Sequence, residues 1–166
     1  MPEEGAPMRL QPIGVVHSPF ASQVGTPVQP ALAGPEAVGT IEIFEPFAAG
    51  LEDIDGFERI WVVAWFHRAG PERLRVTPYL DVRERGLFAT RAPARPNPIG
   101  ISAVRLLRRE GRVLHVADLD LLDGTPVLDL KPYAPAFDVF VASREGWLEG
   151  LRRKHGRADD RFAGDG

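Results

Sequence analysis

The chain has 166 residues, 44% of them hydrophobic and 26% charged, which is the balance of a soluble domain long enough to bury one core. It has no cysteine, which excludes disulfides and thiolate metal sites and is compatible with a cytoplasmic setting. The net charge of −3 hides a segregation: residues 1–60 carry two arginines against nine acidic residues, and residues 83–112 carry eight arginines against Glu84 and Glu110.

In chain order, residues 1–10 are acidic and proline-bearing, read as neither a secretory signal nor a membrane span but as a flexible start. No apolar run reaches the roughly 18 residues of a membrane span. A first strand is expected from Gln11 to His17, closed by Ser18-Pro19. The Gly/Pro-rich stretch after it is a loop of nearly twenty residues, a length that belongs to functional or disordered segments. "TIEIF" reads as a strand, and "EPFAAGLEDIDGF" as one or two helical turns ending at Gly56.

"RIWVVAWFH" is apolar on both faces, as in a barrel wall packed inside and out. "LRVTPYL" and "GLFATR" read as short strands around an arginine-rich turn. "ISAVRLLRR" and "RVLHVADLDLL" form a hairpin around "EGR", and "DGTP" turns the chain into a last strand, "VLDLKPY". Trp147, Leu148 and Leu151 at helical spacing predict a helix over 143–155, followed by a loose tail over 156–166. Short strands and sharp turns with little helix predict a mainly β fold. The expected form is one closed or partly open β-barrel with a few short helices, one of them near the C-terminus, spanning 11–142.

Four segments ask for more than a structural role. "TRAPARPNPIG", residues 90–100, has three prolines that stiffen it, so it should run extended and display Arg91, Arg95 and Asn97. Two arginines on a stiff backbone favour an anionic ligand, because little placement entropy is left to lose; the plain alternative is a brace. In "LDGTPVLDLKPY", Asp129, Lys131 and Tyr133 alternate and share a strand face, which a surface ion pair would equally explain. His67 in "WFHR" ends a strand, where a hydrogen-bonded structural histidine is the plain reading. Gln29 in "TPVQP" says little alone. The four histidines are scattered, so no metal site is expected, and no Rossmann, Walker or GxSxG pattern is present.

"PIGVVHSPF", "TPVQP", "WFHR", "GLFATRAPARPNPIGISAVRL" and "LDLLDGTPVLDLKPYAPAFD" together resemble the TsaA-like (TrmO) family over about Gln11 to Asp138. The resemblance implies a β-barrel methyltransferase that binds S-adenosyl-L-methionine at a homodimer interface. It also implies methylation at N6 of the threonylcarbamoyladenosine at position 37 of tRNA. Carried over position by position, the cofactor would meet Pro27, Val28, Gln29, His67, Arg68, Arg91, Ile101, Asp123, Gly124, Thr125 and Pro126. Val28 stands where some members have arginine, so a backbone contact would persist there and a guanidinium contact would not. Asn97 or Asp129 is expected to orient or accept the proton of the acceptor nitrogen. Arg95, Arg105, Arg108, Arg109, Lys131, Tyr133, Arg152 and Arg153 are the candidate tRNA contacts. Two other readings stay open: the same core acting on another acceptor, and a non-catalytic S-adenosyl-L-methionine-binding sensor.

Overall fold

A computed structural model of the chain describes residues 7–149, 151 and 157–163. Six strands close into an antiparallel barrel in the order β1-β2-β7-β6-β3-β8: β1 (Gly14–His17), β2 (Gly39–Ile43), β3 (Arg59–Trp65), β6 (Ile99–Glu110), β7 (Val113–Ala117) and β8 (Pro126–Pro132). The expected barrel is therefore present in its closed form, which leaves no sheet edge unpaired. β4 (Arg75–Val76) and β5 (Arg85–Gly86) pair outside it, around the arginine-rich turn.

β3 is apolar on both faces because both are covered. Ile60, Val62 and Ala64 have no exposed surface and fill the barrel, while Trp61, Val63 and Trp65 are half-buried on the outer wall. Val16, Ile41, Val104, Leu114, Val116 and Val127 complete the interior from the other strands. Pleating sends alternate residues inward, so each strand contributes at a spacing of two. A bulge between Val63 and Ala64 re-registers β3 against β8, and another between Leu106 and Arg108 does so for β6 against β7.

A second, smaller cluster sits beside the barrel: Val76, Leu87, Ala92, Ala94 and Phe162, with Tyr79 against it. It answers what the proline-rich stretch packs on. Ala92 and Ala94 are buried and Arg91 between them and Thr90 is exposed, so the stiff segment braces one cluster and presents one guanidinium.

Several local expectations change. "GLFATR" is not a strand beyond Gly86. Leu87–Ala89 is a 3-10 turn, closed by the Thr90 hydroxyl donating to the Leu87 carbonyl at 2.7 Å, because Leu87 must turn into the second cluster. β1 begins at Gly14 rather than Gln11, and β7 ends at Ala117. The described part of the expected C-terminal helix is a 3-10 turn, Gly146–Leu148, and much of its second half lies outside the described residues. The one α-helix among the described residues is the short Pro135–Asp138. Residues 157–163, expected loose, are packed. Ala158 exchanges backbone bonds with Gly25 and Thr26, and Phe162 buries against Tyr79 with ring centroids 5.1 Å apart. No helix among the described residues is long and apolar enough to cross a membrane.

Candidate functional site

One rim of the barrel gathers the ends of three strands. β3 finishes at Trp65 opposite Ile99, where β6 begins, and Ala64 pairs with Val127 near the start of β8. Antiparallel pairing brings these ends together, so the segments that leave or enter them must share a space. A cavity of about 320 Å³ occupies it. Its walls come from the long loop after β1, the residues following β3, the proline-rich segment, the start of β6 and the turn before β8.

The turn before β8 is held firmly. Asp123 N–H donates to Phe20 O (2.9 Å), Gly124 N–H to Val16 O (2.8 Å) and Thr125 N–H to Leu122 O (3.2 Å). Asp123 also accepts from the Ser18 N–H at 3.1 Å. Gly124 has φ +78, a conformation that glycine adopts without strain, and a Cβ there would face His67 Nε2 at 3.9 Å. The turn's N–H groups are thus committed to the fold, which leaves its carbonyls, the Thr125 side chain and clearance to a ligand.

The proline-rich wall is held by its own arginine. Arg95 donates to the carbonyls of Thr90 (3.0 Å) and Ala92 (3.2 Å) and lies 5.7 Å over the Phe88 ring. Rather than being displayed, its guanidinium satisfies backbone acceptors that the prolines cannot pair. Arg91 points the other way and donates to Gln29 Oε1 at 2.6 Å, tying this wall to the long loop. Arg68 donates to Ala21 O at 2.5 Å. Burial and the neighbouring Arg68 charge push the His67 imidazole below its ordinary range, so it is neutral at neutral pH.

Of the residues carried over from the family resemblance, Pro27, Val28, Gln29, His67, Arg68, Arg91, Ile101 and Thr125 all line the cavity. Gly124 adjoins it beside His67, and Asp123 is the residue that pins the turn. Pro126 starts β8 just behind the wall. Asn97 and Asp129 are not in the wall. Asn97 is exposed, and Asp129 lies on the outer face opposite Val63, with its carboxylate 2.9 Å from Lys131.

Apart from Arg95, which lines the cavity, the described nucleic-acid candidates sit elsewhere and are mostly paired. Arg105 is 3.7 Å from Asp118, Arg108 is 2.7 Å from Glu110, and Arg109 donates to Leu51 O at 2.7 Å. Tyr133 packs on Trp61 with centroids 5.5 Å apart. A phosphate arriving at these arginines would exchange with an existing partner, which lowers the gain. Arg152 and Arg153 lie outside the described residues.

Among the cavity residues that were not anticipated, Gln23, Tyr79 and Asp120 stand apart. Each has a buried polar atom (Oε1, OH and Oδ1) without a hydrogen-bond partner among the described residues. Burial pushes the Asp120 carboxyl up to about 7, against opposing help from the Ser102 hydroxyl and the Arg91 charge. Burial, with Asp159 nearby, raises the Tyr79 hydroxyl as well. In sequence Asp120 is one more aspartate of "DLDLLDG", and only the way the chain folds over the rim sets it apart. Tyr79 and Gln23 lie close enough for Gln23 to act on the Tyr79 hydroxyl, so Asp120 Oδ1 is the atom that most calls for a polar ligand.

A second cavity, of about 460 Å³, adjoins the first and shares Val28, Gln29, Tyr79, Thr90 and Arg91 with it. Phe88 and Trp147 stand in its wall. Trp147 donates to Ala89 O at 2.7 Å and has Arg85 5.6 Å over its ring.

Comparison with known proteins gives this site its relatives. A probable S-adenosyl-L-methionine-binding protein of Pyrococcus abyssi is 51% identical over 150 residues, covering 90% of this chain and 81% of that one. The tRNA (adenine(37)-N6)-methyltransferase of Mus musculus is 34% identical over 141 residues, covering 81% of this chain and 33% of that one. The crystal structure of TrmO from Pseudomonas aeruginosa superposes with a TM-score of 0.71 at 40% identity, over 86% of this chain. This chain spans 63% of the length of that solved chain. The family model for the tRNA-methyltransferase O N-terminal domain matches residues 15–139, and the chain belongs to that family.

Proposed function

We propose that the chain is an S-adenosyl-L-methionine-dependent methyltransferase whose acceptor is N6 of the threonylcarbamoyl-modified adenosine at position 37 of tRNA. The observation that carries this reading is the rim cavity. The long loop, the residues after β3, the proline-rich segment and the turn before β8 converge on it, and its wall holds unsatisfied polar atoms. The names of the relatives, a binding protein and a tRNA methyltransferase, support the ligand and the reaction class.

Bound there, the cofactor supplies an electrophilic methyl group on a sulfonium. The chain's residues do the rest by placement, which is where much of the acceleration of an in-line displacement arises. Arg91, exposed on a stiff segment, is suited to receive a carboxylate in bidentate fashion. Phe66, Ile99 and Ile101 supply apolar wall and exclude water. The neutral His67 adds no positive charge against a sulfonium.

The adjoining cavity is the place for the acceptor base. Phe88 and Trp147, each with an arginine over its ring, offer the stacking surfaces on which proteins hold unstacked bases. A shared wall suits two ligands held side by side. Ile99 and Ile101 remain exposed on the outer strand face beside Val63 and Trp65, which suits a homodimer that completes the rim.

The test is transfer of labelled methyl from S-adenosyl-L-methionine to tRNA carrying or lacking threonylcarbamoyladenosine, followed by nucleoside analysis. Methyl on N6 of the modified adenosine alone supports the full reading. Methyl on another nucleoside keeps the enzyme class and changes the acceptor. Saturable cofactor binding without any transfer supports the sensor instead.

A further inference from the structure

Asp120 is the sole carboxylate among the described residues lining the rim cavity, where Arg68, Arg91 and Arg95 are the cations. Its Oδ1 is buried without a partner, and Ser102, itself 2% exposed, lies close enough to act on the carboxyl's ionisation. A buried carboxylate with a free oxygen is costly, and an asparagine would fill the same space without the charge. The fold tolerates the cost, and what offsets it best is a ligand with a charged donor.

The cavity is polarised. Arg91 and Arg68 are exposed at its mouth, and Asp120 lies beneath them, close enough for Arg91 to act on its ionisation. A pocket with guanidinium at the mouth and carboxylate at the floor matches an α-amino-acid zwitterion. Asp120 is half-buried and lines the cavity, deeper than the exposed arginines, so a base carried on a macromolecule and entering from the open side meets the arginines first. A small cofactor that seats first reaches the floor.

We propose that Asp120 is the ammonium-binding residue of this cavity: its carboxylate accepts a hydrogen bond from the α-ammonium group of the cofactor, whose carboxylate turns to Arg91. The inference rests on the reading of this cavity as the cofactor site. The groups facing Asp120 do not compete for the role. Arg91 and Arg95 on the proline-rich segment and Arg68 after β3 are cations, and His67 and Tyr79 are held neutral near pH 7.

The experiment is calorimetric titration of the wild-type chain and Asp120→Asn with two probes. One is S-adenosyl-L-methionine, and the other is 5′-methylthioadenosine, the same nucleoside without the amino-acid end. Asp120→Asn should weaken the first by roughly 10- to 100-fold, as for loss of a charged hydrogen bond, and leave the second unchanged. Wild-type protein titrated near neutral pH in buffers of different ionisation enthalpy should release a proton on binding S-adenosyl-L-methionine, and this arm needs no variant.

Equal weakening of both probes would assign Asp120 to the ribose or adenine and overturn the proposal. Unchanged affinities, with or without lost turnover, would overturn it too, as would binding without proton release. Absence of binding of either probe to folded wild-type protein would overturn the cofactor reading itself, and the inference with it.

Discussion

The guanidinium of Arg91 and the side-chain amide of Gln29 meet at 2.6 Å across 62 residues of chain, closing one wall of the rim cavity. Two loops that have little regular structure of their own are joined at the point where the cofactor's carboxylate is proposed to sit. Arg91→Ala should therefore weaken S-adenosyl-L-methionine binding by at least about tenfold, the usual cost of a lost charge-assisted bond. Arg91 is exposed, so the melting temperature should hardly change. Arg91→Lys keeps the charge but not the fork, and calorimetry should place it between the two.

The Asp120 carboxyl, raised from 3.8 to about 7, makes folding depend on pH in a direction opposite to that of most carboxylates. The unfolded chain loses this proton at the ordinary carboxylate pH while the folded chain keeps it. This group's contribution to stability therefore falls as pH rises between about 4 and about 7, by a few kcal/mol in total. Asp120→Asn does not titrate. Its melting temperature relative to wild type, without ligand, should climb over that range and level off above it. A difference that stays flat with pH would mean that the carboxyl is ordinary.

Gly100 lies directly under Phe66: a Cβ added there would fall 2.1 Å from the ring. Both residues line the cavity. Gly100→Ala must displace the ring, an overpacking that typically costs about 1–3 kcal/mol. The displaced ring should also enter the cavity, so the variant should melt lower and bind cofactor more weakly. Thermal melts with and without S-adenosyl-L-methionine read both effects.

Arg95 bonds to two carbonyls of its own segment, Thr90 and Ala92. Arg95→Ala leaves those acceptors without this donor and should cost about 1–2 kcal/mol in denaturant unfolding. Because the segment that holds Arg91 loosens, affinity for the cofactor should fall as well, unlike the effect expected of an arginine that touches only phosphate.

Phe88 is 77% exposed, an unusual position for phenylalanine, and Trp147 stands in the same cavity wall. Neither lines the rim cavity. Phe88→Ala and Trp147→Ala should each raise the KM for tRNA by about tenfold, the worth of one base stacking contact, with cofactor affinity unchanged. Steady-state kinetics with tRNA as the varied substrate measures the first, and calorimetry the second.

The barrel was legible because its cause is local. Alternation in β3, the "EGR" and "DGTP" turns and the proline and glycine punctuation each act within a few residues, although among the barrel strands only β6 and β7 are joined by a tight turn. The 3-10 turn at Leu87–Ala89 was not, since "LFAT" suits a strand until the second cluster draws Leu87 inward. The packing of 157–163 was equally hidden, because Ala158 and Phe162 find partners far away in sequence.

The same division runs through the site. By itself the sequence determined a stiff, arginine-bearing segment, a glycine turn and a strand end with histidine, because proline and glycine restrict the backbone wherever they stand. Only the tertiary structure decided what each charged group does. It sent Arg91 outward and folded Arg95 back, left Asp129 on the outer wall beside Lys131, and tucked the Oδ1 of Asp120 under the rim. Desolvation and hydrogen-bond partners depend on neighbours brought from across the chain, and no local pattern carries that information.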